Sequence, residues 1–451
     1  MIRDESWQLA RLIPLPTGSG VEAKERHAAS ALLAVLSAVD EFGRALLKPL
    51  GAPAGKIEAF IETPIKLENG KSVRPDGVIG VTRAGRTWWA LVECKIADQQ
   101  LTTDQMETYL DVARANGIDA VLSISNQYTT RSADYPIQLD RKKLKKVSIH
   151  HWSWVRVLTE AEVQRQYRGV KDPDQAYILS ELIRYLSDGR SGVVQFDDMG
   201  PSWTSVRERA RLNTLRKTDA DVAAVASRWD ELMRYLSLEL TKELGLDVKE
   251  VQRRAEGTGA ARHLALRESL ASSGRLYGEL RIPNTAGNLE VVADLNSRQV
   301  VVSTRIDAPK EGGSRGRVGW LLKQLQKSPN DLTIEARLMY TSSTLTGQLG
   351  ALRENHSALV PDRTREITAF RLSLTRDMGL NRSGGRNAFI ASVMGTTKTY
   401  YREVLQNLTA WKPRAPRLPE ALPPVSEAKA PAEEILQGAE QTTDWVGAEE
   451  S

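Results

Sequence analysis

The sequence predicts an α/β fold in which a mixed central sheet is flanked by helices, followed by a helical linker and a second, α+β domain. Three observations carry that reading. Across residues 21–160 the hydrophobic pattern runs helix, three strands, helix, strand, strand, an order that lays helices on a sheet. Residues 161–218 are mainly helical in pattern, and strand-like segments resume after a long helical stretch at 219–244. The length of 451 residues exceeds one ordinary domain and suits two or three.

Each element has a local cause. Residues 1–20 hold Pro14, Pro16, Gly18 and Gly20 and read as an irregular lead-in. Over residues 21–50, Ala29, Leu32, Leu33, Leu36, Val39, Leu46 and Leu47 form a broad apolar stripe at helical spacing, ended by Pro49 and Gly51. Three strand-like segments follow, IEAFIETPIKL, VRPDGVIGVTR and TWWALVECKI, separated by the turn pairs Asn69-Gly70 and Ala84-Gly85. A helix is expected over about 103–116, closed by Gly117. AVLSIS (120–125) is a continuous apolar run of buried-strand type, and VSIHHWSWVRVL (147–158) reads as a further strand. The α+β domain spans 219–412, with strand-like RLYGELRIP, LEVVADL, QVVVSTRI and LTIEARLMY and helix-like RVGWLLKQLQ and FIASVMGTTKTYYREVLQNL. Residues 413–451 read as a disordered acidic tail: six of the 19 prolines fall there, with eight acidic against three basic side chains.

Composition narrows the setting. Apolar residues at 41% and charged residues at 26% are ordinary globular values, enough to bury real cores. Cys94 is the only cysteine, so no intrachain disulfide can form and a reducing, cytoplasmic location is expected. The opening MIRDESWQLARLIPL has acidic residues and no apolar core of a signal peptide, and no stretch reaches the ~18 apolar residues of a membrane span. The net charge is +5; removing the acidic tail leaves a body near +10, compatible with a polyanionic partner.

The chemistry concentrates in LVECKI, residues 91–96. On a strand Glu93 and Lys95 share one face and Val92, Cys94 and Ile96 the other. Charges in an otherwise apolar strand are unfavourable unless something uses them, although a surface ion pair is the plain alternative. Asp76 lies on the preceding strand in Arg74-Pro75-Asp76-Gly77, where it can converge with Glu93; taken alone it could be a turn residue. Two adjacent carboxylates raise each other's pKa, and a divalent cation relieves the repulsion. Hard oxygen ligands suit Mg²⁺, with Mn²⁺ as substitute, and a lysine beside the metal can hold or deprotonate water and offset charge on phosphorus. Gln105 and Tyr109, four apart, share a helix face; a capping box of Thr102 with Gln105 and a core Tyr109 are the structural alternatives.

Taken together, Asp76, Glu93-Cys94-Lys95 and Gln105-x-x-x-Tyr109 resemble the PD-(D/E)XK nuclease superfamily, closest to its RecB-like branch with a Gln-x-x-x-Tyr motif. The resemblance covers about residues 20–160 and implies a restriction-endonuclease-like core. It implies that Asp76, Glu93 and the carbonyl of Cys94 bind the metal, that Lys95 assists the water, and that Gln105 and Tyr109 steady the site or the nucleic-acid backbone. A glutamate of the first helix completes the metal site in many members; Glu25 is the candidate, with Glu22 close behind.

Other features are weaker. Residues 141–146 (Arg-Lys-Lys-Leu-Lys-Lys) and the cluster Arg207, Arg209, Arg211, Arg216 and Lys217 could meet phosphates or be solvated charge. Alternation puts His150 and His151 on opposite faces, which argues against joint ligation. The loop EGGSRGR (311–317) lacks a phosphate-binding-loop pattern and reads as a mobile loop that could brush DNA. The expected function is a Mg²⁺-dependent nuclease acting on nucleic acid, with DNA favoured and genome defence or repair as the setting by analogy. A homodimer would suit double-strand cleavage, and the α+β domain could bind substrate, a protein partner or a regulatory ligand. The competing reading is a catalytically silent binding module on the same scaffold.

Overall fold

The computed structural model describes residues 7–12, 20–66, 72–129, 135–140, 142–251, 256–362, 365–384 and 388–412. The tail assigned to 413–451, most of the lead-in, the Asn69-Gly70 turn and Arg141 lie outside the described residues.

A short strand β1 (Gln8–Leu9) is followed by α1 (Val21–Ala38) and α2 (Asp40–Leu47). The single apolar stripe expected over 21–50 is thus two helices, because Val39 adopts an extended conformation between them. Next come β2 (Lys56–Ile61), the small pair β3 (Ile65–Lys66) and β4 (Ser72–Val73), then β5 (Gly77–Arg83) and β6 (Arg86–Cys94). After α3 (Thr103–Ala115) the chain forms β7 (Ala120–Ser125) and β8 (Ser148–Ser153). The strand expected over 147–158 ends at Ser153, whose hydroxyl accepts the Arg156 amide at 3.2 Å and caps α4 (Trp154–Val163). An N-cap serine outweighs the strand-like run of apolar residues beyond it.

The resulting six-stranded sheet has the order β1-β2-β5-β6-β7-β8. Its first four strands pair antiparallel, and β6–β7 and β7–β8 pair parallel, so the sheet is mixed. Helices flank it on both sides. Leu32, Leu36, Val92, Ile124 and Trp152 belong to the core under α1, α2, α4 and α5 (Pro173–Ser187), while Leu91, Val121, Met106 and Leu110 belong to the core under α3. Crossing from antiparallel to parallel pairing brings the start of β5 and the ends of β6 and β7 to one end of the sheet, where side chains can converge.

Gly77 fixes how closely α1 approaches that end: a Cβ there would lie 2.3 Å from Leu33 Cδ1 and 3.0 Å from the Phe60 carbonyl. Leu33 sits eight residues, just over two turns, beyond Glu25 on the same helix, so this contact sets where Glu25 falls.

The remainder, α6 (Trp203–Arg211), α7 (Ala220–Leu244), β9 (Lys249–Glu250), α8 (Gly259–Ser273), β10 (Arg275–Arg281), β11 (Leu289–Asp294), β12 (Gln299–Asp307), α9 (Ser314–Gln324), β13 (Thr333–Leu338), β14 (Thr344–Gln348), α10 (Leu349–Glu354), β15 (Ile367–Asp377) and α11 (Phe389–Glu403), builds a seven-stranded antiparallel sheet ordered β14-β13-β15-β12-β11-β10-β9. Residues 341–388 show no readable periodicity, yet β15 lies inside this sheet. Its buried residues switch parity from Ile367 and Ala369 to Phe370, Leu372 and Leu374, beside a register shift in β13 at Arg337/Leu338, and that slip hides the alternation. Helix α8 also lacks an apolar stripe in the sequence, burying only Leu266 and Leu270. Up to Trp411 the described chain forms one compact unit, in which α4 packs on α7. Among the described residues no helix is long and apolar enough to cross a membrane.

Candidate metal centre and active site

Four elements deliver the site. Glu25 comes from the first turns of α1, Asp76 immediately precedes β5, Glu93 comes from the end of β6 and Lys95 from the residue just beyond it, and Gln105 and Tyr109 from α3. Period two along β6 sends Val92 and Cys94 into the core under α1, leaving Glu93 and Lys95 on the opposite side. One carboxylate oxygen from each of Glu25, Asp76 and Glu93 lies within 4.8 Å of the others. Glu22 stays exposed at the rim, so it is Glu25 whose carboxylate joins the cluster.

Hydrogen bonds hold each group in place. The Cys94 amide donates to Asp76 Oδ2 at 2.7 Å, tying the start of β5 to the end of β6. Lys95 Nζ sits 2.6 Å from Glu93 Oε1 and 2.9 Å from Glu25 Oε1. Gln105 Nε2 donates to Glu93 Oε1 at 2.7 Å, with a long 3.4 Å contact to the Tyr109 hydroxyl. Thr102 Oγ1 caps α3 by accepting the Gln105 amide at 3.4 Å, but the Gln105 side chain is turned to Glu93, so the reciprocal half of a capping box is not what it forms.

The electrostatics follow from burial. Glu93 is 2% exposed. Asp76 is pushed up to about 8, first by burial and then by the charge of Glu93. Burial also raises Glu25, partly offset by its hydrogen bond to Lys95. For Lys95 burial works against the ammonium, but the charge of Glu93 and hydrogen bonds to Glu93 and Glu25 outweigh it and hold the pKa above its ordinary value. Burial, and next the charge of Glu93, raise Tyr109, so it stays a neutral phenol. Three carboxyls therefore share one ammonium, leaving a surplus of negative charge walled by hard oxygen donors. That donor set fits a divalent cation such as Mg²⁺.

Comparison with protein-family models, curated proteins and solved structures finds no match.

The cluster opens into a cleft of about 640 Å³. Two cations line it that the sequence reading did not single out: Arg74, exposed, and Arg26, 3.6 Å from Glu62 Oε1. Arg74 had a signal, since it stands two residues before Asp76; Arg26 had none beyond following Glu25. Trp154 is fully buried and donates its indole N–H to the Lys95 carbonyl at 2.9 Å, pinning the backbone that carries the lysine.

The weaker candidates fall elsewhere. Lys143 pairs with Asp111 at 2.7 Å and Glu107 at 3.2 Å, fastening the basic turn to α3. Arg207 donates to the Leu380 carbonyl, Arg209 pairs with Asp219 and Lys217 pairs with Glu268, so much of that basic cluster joins structural elements. In the glycine-rich segment α9 begins at Ser314, and Arg317 is buried against Glu366 and the Ile367 carbonyl rather than presented to DNA. His151 donates its Nε2–H to the Gln127 carbonyl (2.9 Å) and, as a neutral ring, accepts the Ser123 hydroxyl at Nδ1 (2.9 Å), and burial lowers its pKa to about 4. It is a neutral core imidazole.

Proposed function

We propose that this chain is a metal-dependent nuclease with a restriction-endonuclease-like core, hydrolysing phosphodiester bonds of nucleic acid, DNA being the favoured substrate. The observation that carries the reading is the meeting of Glu25, Asp76 and Glu93 within 4.8 Å beside the Lys95 ammonium. Mg²⁺ or Mn²⁺ held by these carboxylates supplies Lewis-acid activation of water and phosphate. Glu25, Asp76 and Glu93 would be its side-chain ligands, and the Cys94 amide orients Asp76 for that task. Gln105 fixes the Glu93 carboxylate. Lys95, held charged by two carboxylates, serves as a cation that offsets charge on the pentavalent phosphorus rather than as a proton acceptor. Arg26 and Arg74 line the cleft where the flanking phosphates would lie.

The test is cleavage of supercoiled, linear and single-stranded DNA and a structured RNA, in Mg²⁺, Mn²⁺ or EDTA, with Asp76→Ala and Lys95→Ala alongside. Metal-dependent cutting lost in both variants supports the reading. Absence of cutting on every substrate, with wild type and variants binding nucleic acid equally, would replace it with the silent binding module.

A further inference from the structure

Beside the cleft lies a second pocket of about 490 Å³, within the roughly 300–1,000 Å³ range of small-molecule sites. The two are neighbours by construction. Gln99, in the turn after β6, lines both. Across the sheet, Glu93 of β6 stands in register with Ser123 of β7, and Ser123 with His151 of β8. Tyr135, which walls the second pocket, donates its hydroxyl to Ser123 Oγ at 2.8 Å and sets its ring edge-on to His151 with centroids 6.0 Å apart. One polar row thus runs from the carboxylate of the centre to the aromatic wall of the pocket.

The pocket's lining chemistry is unlike that of the cleft. Gln99, Gln100 and Gln195 are exposed and make no side-chain hydrogen bond to the described residues, and Gln127 uses its Oε1 for the Leu101 amide while its Nε2 is left over. Asn126 is fully engaged and only shapes the wall. Charge at the rim is acidic, from Asp98 and Asp197, and Arg228 is committed to Glu231, the Asp198 carbonyl and the Phe196 ring. Acidic rim groups repel a phosphate, whereas in the cleft a bound cation together with Arg26 and Arg74 would offset the carboxylates, so the backbone belongs there. Free amides beside an aromatic ring match the edge and face of a nucleobase, which needs neutral donors and acceptors and a stacking surface.

We propose that this second pocket is a nucleobase subsite, holding one unstacked base of the nucleotide next to the scissile phosphate. This rests on the nuclease reading, and it names the substrate class: single-stranded or locally opened nucleic acid, since a paired base cannot enter a pocket without leaving its stack.

The test separates the two claims. Equilibrium binding of a fluorescein-labelled single-stranded DNA to the full chain would be measured in Ca²⁺, against an oligonucleotide of equal length and charge made wholly of abasic nucleotides. The loss of one stacked, hydrogen-bonded base predicts binding weaker by about tenfold for the abasic strand. Gln100→Ala/Gln195→Ala, both exposed, should shrink that ratio towards one while leaving affinity for the abasic strand unchanged. Equal binding of both strands by wild type, or a ratio unchanged in the double variant, would overturn the subsite. Cleavage in Mg²⁺ is scored separately: cutting without base dependence would leave the nuclease reading and remove the subsite. Base-dependent binding without cutting would retain the subsite and remove the hydrolytic reading.

Discussion

Replacing Asp76 by Asn should make the metal-free protein more stable at pH 8 while abolishing cleavage. Asp76 titrates near 8 in the folded chain against an ordinary 3.8. Below 3.8 the carboxyl is protonated in both states and contributes nothing to the pH dependence. Between the two values the unfolded chain ionises while the folded chain keeps its proton, so stability is lost as pH rises through that window. Each pH unit there costs at most about 1.4 kcal/mol, and hence pH 5 to 8 at most about 4 kcal/mol. Water reaching a half-buried carboxyl reduces this to about 2 kcal/mol. Asparagine stays neutral, keeps an oxygen to accept the Cys94 amide, and gains an N–H₂ that can donate towards Glu93. Urea unfolding in EDTA at pH 5 and pH 8, for wild type and Asp76→Asn, measures the effect. The variant should gain about 2 kcal/mol on wild type at pH 8 and far less at pH 5. An equal difference at both pH values, or a variant less stable than wild type at pH 8, would refute the argument from buried, repelling carboxyls.

Lys95→Met should lower cleavage by about 10²–10³-fold, as for loss of one charge-stabilising group, with nucleic-acid affinity nearly unchanged; single-turnover rates and binding titrations report the two. Gln105→Ala removes the 2.7 Å donor to Glu93 and should reduce activity or metal affinity by about 10–100-fold, whereas Tyr109→Phe, losing the phenol's hydrogen bond to Glu93 and a 3.4 Å contact but leaving the Gln105 amide on that carboxylate, should cost less. A Mg²⁺ titration of the cleavage rate distinguishes them. Trp154→Phe keeps most of the packing but unpairs the Lys95 carbonyl, so stability should fall by about 1–2 kcal/mol in urea unfolding. Its cleavage rate should fall more than this loss of stability alone explains.

Much of the site was legible because it depends on short-range rules. Period two on one strand separated Glu93 and Lys95 from Cys94, and a spacing of four aligned Gln105 with Tyr109. What decided between Glu22 and Glu25 was the phase of α1 against the sheet. That phase depends on Leu33 meeting Gly77, a contact 44 residues apart that no local pattern encodes. The same holds for Trp154, whose indole finds the Lys95 carbonyl across 59 residues, and for Lys143, Arg207, Arg209 and Lys217, which bond to carboxylates and a carbonyl. In the second sheet the alternating strands β10 to β13 were readable, while the parity slip in β15 was not.

Cys94 gives the molecule a use its chemistry does not require. The thiol is completely buried beneath the carboxylate cluster, between Glu93 and Lys95 in the chain and packed in the core under α1. Burial raises its pKa well above the ordinary value, so in the closed state it is inert to thiol reagents. Any modification must wait for α1 to part from β6, the movement that would also carry Glu25 away from Asp76 and Glu93. With no second thiol in the chain, the rate of alkylation clocks the breathing of this one seam, and the protein carries its own single-atom gauge of how often its centre comes apart.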